Sequence, residues 1–74
     1  MKTIKELFPG IMVCTENETI TNPFSGESWE CTPDEVAVYD LLKGCEMLKD
    51  YRTMRKCLDW FIDNSPKAYM VLLD

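Results

Sequence analysis

The chain contains no histidine, so the side chain most often used as a general base is absent. It also lacks a Cys-x-x-Cys pair. The four cysteines, Cys14, Cys31, Cys45 and Cys57, are spaced 17, 14 and 12 residues apart. A structural zinc site draws its ligands from closely spaced pairs, because four of them must converge on one ion. No apolar run approaches the roughly 20 residues that span a bilayer, and Met1 to Glu6 carries no apolar signal-peptide core. Basic charge is scarce as well: eight Lys and Arg stand against thirteen Asp and Glu, a net charge of −5. Nonspecific nucleic-acid binding rests on a basic footprint, which this balance argues against. Only three glycines are present, and Gly26 lies in no phosphate-cradling motif.

At 74 residues the chain is expected to form one domain, 1–74. Its 46% hydrophobic content excludes a disordered class. A chain this short buries only about 60% of its unfolded surface and leans on every large side chain it has. Without secretion signals the cysteines read as free thiols in a reducing cytosol, with Cys45 and Cys57 as small hydrophobes on helical faces. Asn17-Glu18-Thr19 fits a glycosylation acceptor by chance in that setting.

The second half is punctuated like three helices. Thr32-Pro33-Asp34-Glu35 places a hydroxyl at the N-cap, proline at the first helical position and glutamate where it completes a capping box. Ser65-Pro66-Lys67-Ala68 repeats the hydroxyl and the proline. Behind Thr32, Val38, Leu41, Leu42, Cys45 and Leu48 recur at helical spacing, widened by Val36, Tyr39 and Met47. Gly44 inside this helix costs about 1 kcal/mol against alanine, and close approach of a neighbouring backbone would explain it. Asp50 is the expected N-cap of the second helix, with Tyr51, Met54, Cys57, Leu58, Phe61 and Ile62 as its stripe. The last helix carries Tyr69, Leu72 and Leu73. The helix–turn–helix spacing up to Pro66 matches a tetratricopeptide repeat, but Lys49 replaces the turn glycine, and one repeat cannot bury its own face. An ordinary helical hairpin is the expectation.

The first half reads as a short helix and strands. Ile4, Leu7 and Phe8 share a helical face within residues 1–9, ended by Pro9-Gly10. Three β-prone runs, 11–15, 18–21 and 28–31, predict an antiparallel meander. The fold class is therefore α+β: a short helix plus β-meander over 1–31, packed on three helices over 32–74. A mainly helical bundle with an irregular N-terminal arm is the alternative.

Candidate chemistry is sparse. Glu27, Glu30, Asp34 and Glu35 could gather around a divalent cation, but Asp34 and Glu35 fall in a first helical turn, where the macrodipole already favours them. An enzyme would need coupled carboxylates, or a metal held by Cys14 and Cys31 with Asp or Glu. Neither arrangement is signalled, so no cofactor and no metal is expected. Asn22-Pro23-Phe24 is a tripeptide that certain endocytic adaptor domains recognise. The plainer reading is a turn in which asparagine caps, proline fixes φ and phenylalanine tucks against the sheet. Trp29 and Trp60 could each anchor a protein contact or close the core.

Three stretches carry a resemblance: Thr21-Asn22-Pro23-Phe24-Ser25-Gly26-Glu27-Ser28, Cys31-Thr32-Pro33-Asp34-Glu35-Val36-Ala37-Val38-Tyr39-Asp40, and the close from Asp59-Trp60-Phe61 through Ser65-Pro66-Lys67-Ala68-Tyr69 to Asp74. Over residues 20–74 the chain resembles small uncharacterised proteins encoded by tailed bacteriophages. The resemblance implies a viral setting, either the bacterial host cytoplasm or the virion, and no mechanism. The expected function is a small non-enzymatic protein–protein interaction module, a minor virion component or a modulator of a host protein. Its contact residues would be Trp29, Trp60 and Phe24, with Glu30 on an acidic rim. Its partner would be itself or a host or viral protein, with no direct nucleic-acid or membrane contact. The alternative is an acidic inhibitor that mimics DNA toward a nucleic-acid-handling host enzyme.

Overall fold

The computed structural model describes residues 4–73, in the order α1 (Ile4–Leu7), β1 (Glu18–Thr21), β2 (Ser28–Cys31), α2 (Pro33–Leu48), α3 (Tyr51–Asn64) and α4 (Pro66–Leu72). The architecture is α+β: a two-stranded antiparallel hairpin and a short leading helix against a three-helix unit. Residues 1–3 of the expected first helical turn lie outside the described residues.

The expected third strand at 11–15 does not form. Ile11 and Val13 pack against the core while Met12 and Cys14 face solvent, so the alternation is present without a ladder. A tight hairpin into β1 would have to turn at Glu16-Asn17. The favoured two-residue hairpin turns need positive φ and usually glycine, which this pair does not supply. The other two runs pair over 18–21 and 28–31. Glu18 faces Cys31 and Ile20 faces Trp29 on the inner side, while Thr19 and Glu30, then Thr21 and Ser28, share the outer side.

Helix α2 begins on the expected capping box. Thr32 Oγ1 accepts from the Glu35 N–H at 3.3 Å, and the Thr32 N–H donates to Glu35 Oε1 at 2.8 Å. Val36, Val38, Tyr39, Leu42 and Cys45 are buried as the stripe requires. Leu48 and Met47 are not. Both are exposed, at the end of α2 where the chain turns into α3. The stop is a Schellman-type turn. Lys49 takes the left-handed conformation at φ 58, its N–H reaches the Glu46 carbonyl, and the Asp50 N–H reaches that of Cys45. Gly44 has no close neighbour: a Cβ there would meet nothing within 4 Å. The close-approach explanation is thereby overturned.

Asp50 caps α3 as expected, its Oδ1 accepting from the Thr53 N–H at 3.3 Å. Within α3, Cys57 and Phe61 are fully buried, whereas Tyr51 and Ile62 lean to solvent at the stripe's edge. Ser65 does not cap α4 with its hydroxyl. With no spacer between the helices, its N–H closes α3 on the Phe61 carbonyl and its carbonyl opens α4 on the Tyr69 N–H. One buried cluster joins Ile4 and Phe8, Cys31 of β2, Val38 and Leu42 of α2, Phe61 of α3 and Leu72 of α4.

Candidate functional site

The turn joining β1 to β2 is held by a dense set of hydrogen bonds. Asn22 is buried although its neighbours are not. Its Oδ1 accepts from the Phe24 N–H at 2.9 Å, an Asx turn, and its Nδ2 donates to the Val71 carbonyl of α4 at 3.0 Å. Its own N–H donates to the Glu27 carbonyl at 2.8 Å, and the Gly26 N–H returns to the Asn22 carbonyl at 2.8 Å. Gly26 takes φ 78, a left-handed value that costs glycine little. Pro23 fixes φ between the two ends. The capping asparagine was legible in the sequence. The tucked phenylalanine was not realised: Phe24 is 95% exposed, because the Asx turn aims it outward.

Phe24 stands at the rim of an open groove of about 460 Å³. The groove is lined by Leu42 of α2, Met54 and Leu58 of α3, and Tyr69, Leu72 and Leu73 at the end of α4. Lys43 and Glu46 edge it and pair with each other at 3.7 Å. Open, mostly apolar concavities with a few polar groups at the rim are the usual receptacles for a partner's side chain. No sequence signal marked this groove, because it needs three helices and a turn to meet.

The other expected contact residues do not gather here. Trp60 stacks edge-on against Phe61, with ring centroids 5.1 Å apart, and lines a second hollow with Leu7 and Phe8, Lys56, Asp59 and Asp63. Trp29 is half-buried on the inner face of β2, packed against the core. Among the described residues its indole N–H is buried without a hydrogen-bond partner. Glu30 is exposed on the opposite, outer face and accepts from Asn17 Nδ2 at 3.0 Å. Of the four, Phe24 alone is both a large apolar side chain and fully presented to solvent.

The carboxylates Glu27, Glu30, Asp34 and Glu35 are dispersed: Glu35 is buried in the capping box, and Glu30 faces outward. Among the described residues no three of the Cys, Asp and Glu side chains come together in a way that could hold a metal ion. Cys14 is exposed and Cys31 is buried. Burial pushes the Cys31 thiol up to about 11, helped by the charges of Glu35 and Glu18. Burial likewise pushes Cys57 up to about 11, with Cys45 and Asp50 adding to it. Neither is poised as a nucleophile, since the thiolate is the reactive form.

Charge divides along the chain, a pattern the sequence carried openly. Residues 6–42 contain eight acidic side chains and no basic one, while 43–67 contain six basic and four acidic. The hairpin and its turn are therefore acidic, while the groove itself holds only Lys43 and its partner Glu46 as charged lining.

The chain matches no family model, no curated protein and no solved structure.

Proposed function

We propose that this protein is a small, non-enzymatic protein–protein interaction module whose contact face is the Phe24 turn and the groove beside it. The observation that carries the reading is Phe24 itself. A phenylalanine left in water forgoes the roughly 1.5–3 kcal/mol that burial would return, yet here four hydrogen bonds and a proline hold the turn that presents it. Aromatic anchors presented beforehand on a rigid turn lose little entropy on docking. The bacteriophage resemblance of residues 20–74 adds a setting: a virion component, or a protein acting on a host protein in the bacterial cytoplasm. Among the described residues no helix is long and apolar enough to cross a membrane.

The DNA-mimic alternative needs carboxylates along one face. Glu18 and Glu30 point to opposite faces of the hairpin, so the interaction reading is preferred. Its test is affinity capture from host-cell lysate and a self-association assay, each with the wild type and Phe24→Ser. Loss of partner or self-contact in the variant supports the reading. Binding of any kind that ignores Phe24 sinks it.

A further inference from the structure

The sheet has two strands where the alternation of 11–15 predicts a third, so its outer edge is open. β2 runs straight into α2 and packs against α4 and α2, which leaves β1 as the outer strand. The register fixes which backbone groups of β1 face outward. The Asn22 N–H donates across the hairpin to the Glu27 carbonyl at 2.8 Å, and in an antiparallel ladder inward- and outward-facing residues alternate. Glu18 and Ile20 therefore bond to β2, while the N–H and C=O groups of Thr19 and Thr21 point away from it. Among the described residues these outward groups have no backbone partner, and both threonines are exposed. Unpaired donors and acceptors at strand spacing are a template for one more strand.

We infer that the open edge of β1 takes up an extended, β-prone segment of net positive charge from another protein, as a third strand. This contact goes beyond the Phe24 turn and does not depend on it. Charge selects the occupant. The hairpin and its approach carry Glu16, Glu18, Glu27 and Glu30, all exposed, within a stretch, 6–42, that has no basic side chain. None of the four is in an ion pair among the described residues. An added strand would run beside Glu18 and Ile20 on one face. A basic and an apolar residue two positions apart would each find a complementary neighbour there. A second copy of this chain would bring its own carboxylates to the same edge, and like charges facing each other across strands destabilise the pairing. The run 11–15 is already engaged, since Ile11 and Val13 pack against the core.

The length of the edge sets the strength. Four residues at about 3.3 Å each span roughly 13 Å, and natural sheets keep exposed edges short so that they do not pair indiscriminately. Such a contact buries far less than the roughly 1,200 Å² of a stable specific interface. Binding should therefore be weak, with a Kd on the order of 100 μM. It should also weaken with added salt, because exposed charges are screened over about 10 Å at 0.1 M.

The test is an NMR titration of the isotope-labelled full chain with an end-blocked Lys-Val-Lys-Val-Lys-Val peptide, up to about 1 mM, a range that brackets weak contacts. The peptide should shift the amides of Thr19 and Thr21 most and slow their hydrogen exchange. Thr19→Pro removes one outward N–H and no ladder bond. It should weaken binding roughly fivefold, the worth of one backbone hydrogen bond, while the cross-strand contact of Ile20 with Trp29 persists. The same peptide methylated at every backbone nitrogen keeps its charge, donates nothing and should not bind; this arm holds even where Thr19→Pro disturbs the hairpin. Phe24→Ser should bind the peptide as the wild type does. No binding by about 1 mM overturns the inference. So does equal binding of the methylated peptide, which would reduce the contact to charge alone, or of Glu-Val-Glu-Val-Glu-Val, which would remove charge as the selector. Shifts centred on Phe24 and its groove, lost in Phe24→Ser, overturn the edge as the site and support the Phe24 reading instead. A dimer that forms without peptide and dissolves in Thr19→Pro makes a second copy the occupant and overturns the basic partner.

Discussion

Asn22 and Val71, 49 positions apart, are joined by a 3.0 Å hydrogen bond from the Asn22 side-chain amide to the Val71 carbonyl. That carbonyl lies in the last turn of α4, among the groups a helix cannot satisfy by itself. One side chain therefore finishes a helix, ties the hairpin to it and, through its other atom, shapes the turn that presents Phe24. Presentation and stability share a residue here.

Asn22→Ala should separate these roles. It leaves the Val71 carbonyl and the Phe24 N–H without their partners, and each such loss costs about 1–3 kcal/mol where water is kept out. The expected outcome is a lower urea midpoint and a loss of order confined to residues 23–26, seen as reduced backbone heteronuclear NOE values. A midpoint within error of wild type would show that the bond to Val71 contributes nothing net.

The helices were the legible part of this chain because their signals are local. Thr32 with Glu35, Asp50 with Thr53, and the stripe Val38, Leu42 and Cys45 each require only residues within a few turns of one another. The sequence misled where a residue had to choose between neighbours it could not see. Ser65 resembles an N-cap, but two helices that abut at it take its backbone for both, and its hydroxyl is left over. Leu48 and Met47 continue a stripe into the turn that ends α2, and both stay exposed there. The run 11–15 has the alternation of a strand and no turn to bring it alongside β1. The groove was invisible for the same reason, since Leu42, Met54, Tyr69 and Leu73 come together only in the tertiary fold.

Two backbone positions in α2 and its stop carry removable cost. Gly44 sits in the helix with open space where a Cβ would go, so Gly44→Ala should stabilise by about 1 kcal/mol. Lys49 holds a left-handed conformation that glycine adopts freely, so Lys49→Gly should gain about 1 kcal/mol as well. Thermal unfolding of the single and double variants checks both, and the two gains should add only in part, since the sites are five residues apart. A destabilised Gly44→Ala would mean that a neighbour meets the added Cβ.

The buried indole N–H of Trp29 has an unusual consequence for mutagenesis. An unpaired buried donor costs about 1–3 kcal/mol. Trp29→Phe removes that cost along with some apolar area, so its stability should lie within about 1 kcal/mol of wild type. Trp29→Ala removes the packing and should lose about 2–4 kcal/mol. Chemical denaturation of the two variants distinguishes a side chain that works through its ring from one that works through a hydrogen bond. If Trp29→Phe falls as far as Trp29→Ala, the indole nitrogen is paired after all.

Alkaline pH should loosen the core through its thiols. Cys31 and Cys57 are raised from an ordinary 9.0 to about 11 by burial, with nearby charges adding to it. Below pH 9 both thiols are protonated in the folded and the unfolded chain, and stability does not depend on them. Between pH 9 and about 11 the unfolded chain gives up these protons and the folded chain keeps them. The unfolded state is then favoured by roughly 1 kcal/mol per pH unit for each thiol. Stability is thus complete below the unfolded pKa and lost as pH climbs toward the folded one. Urea unfolding across that interval should show the decline. The Cys31→Ala, Cys57→Ala double variant starts lower, for the volume it loses, but should follow a flatter curve. Parallel curves would mean that the buried thiols do not set the alkaline limit.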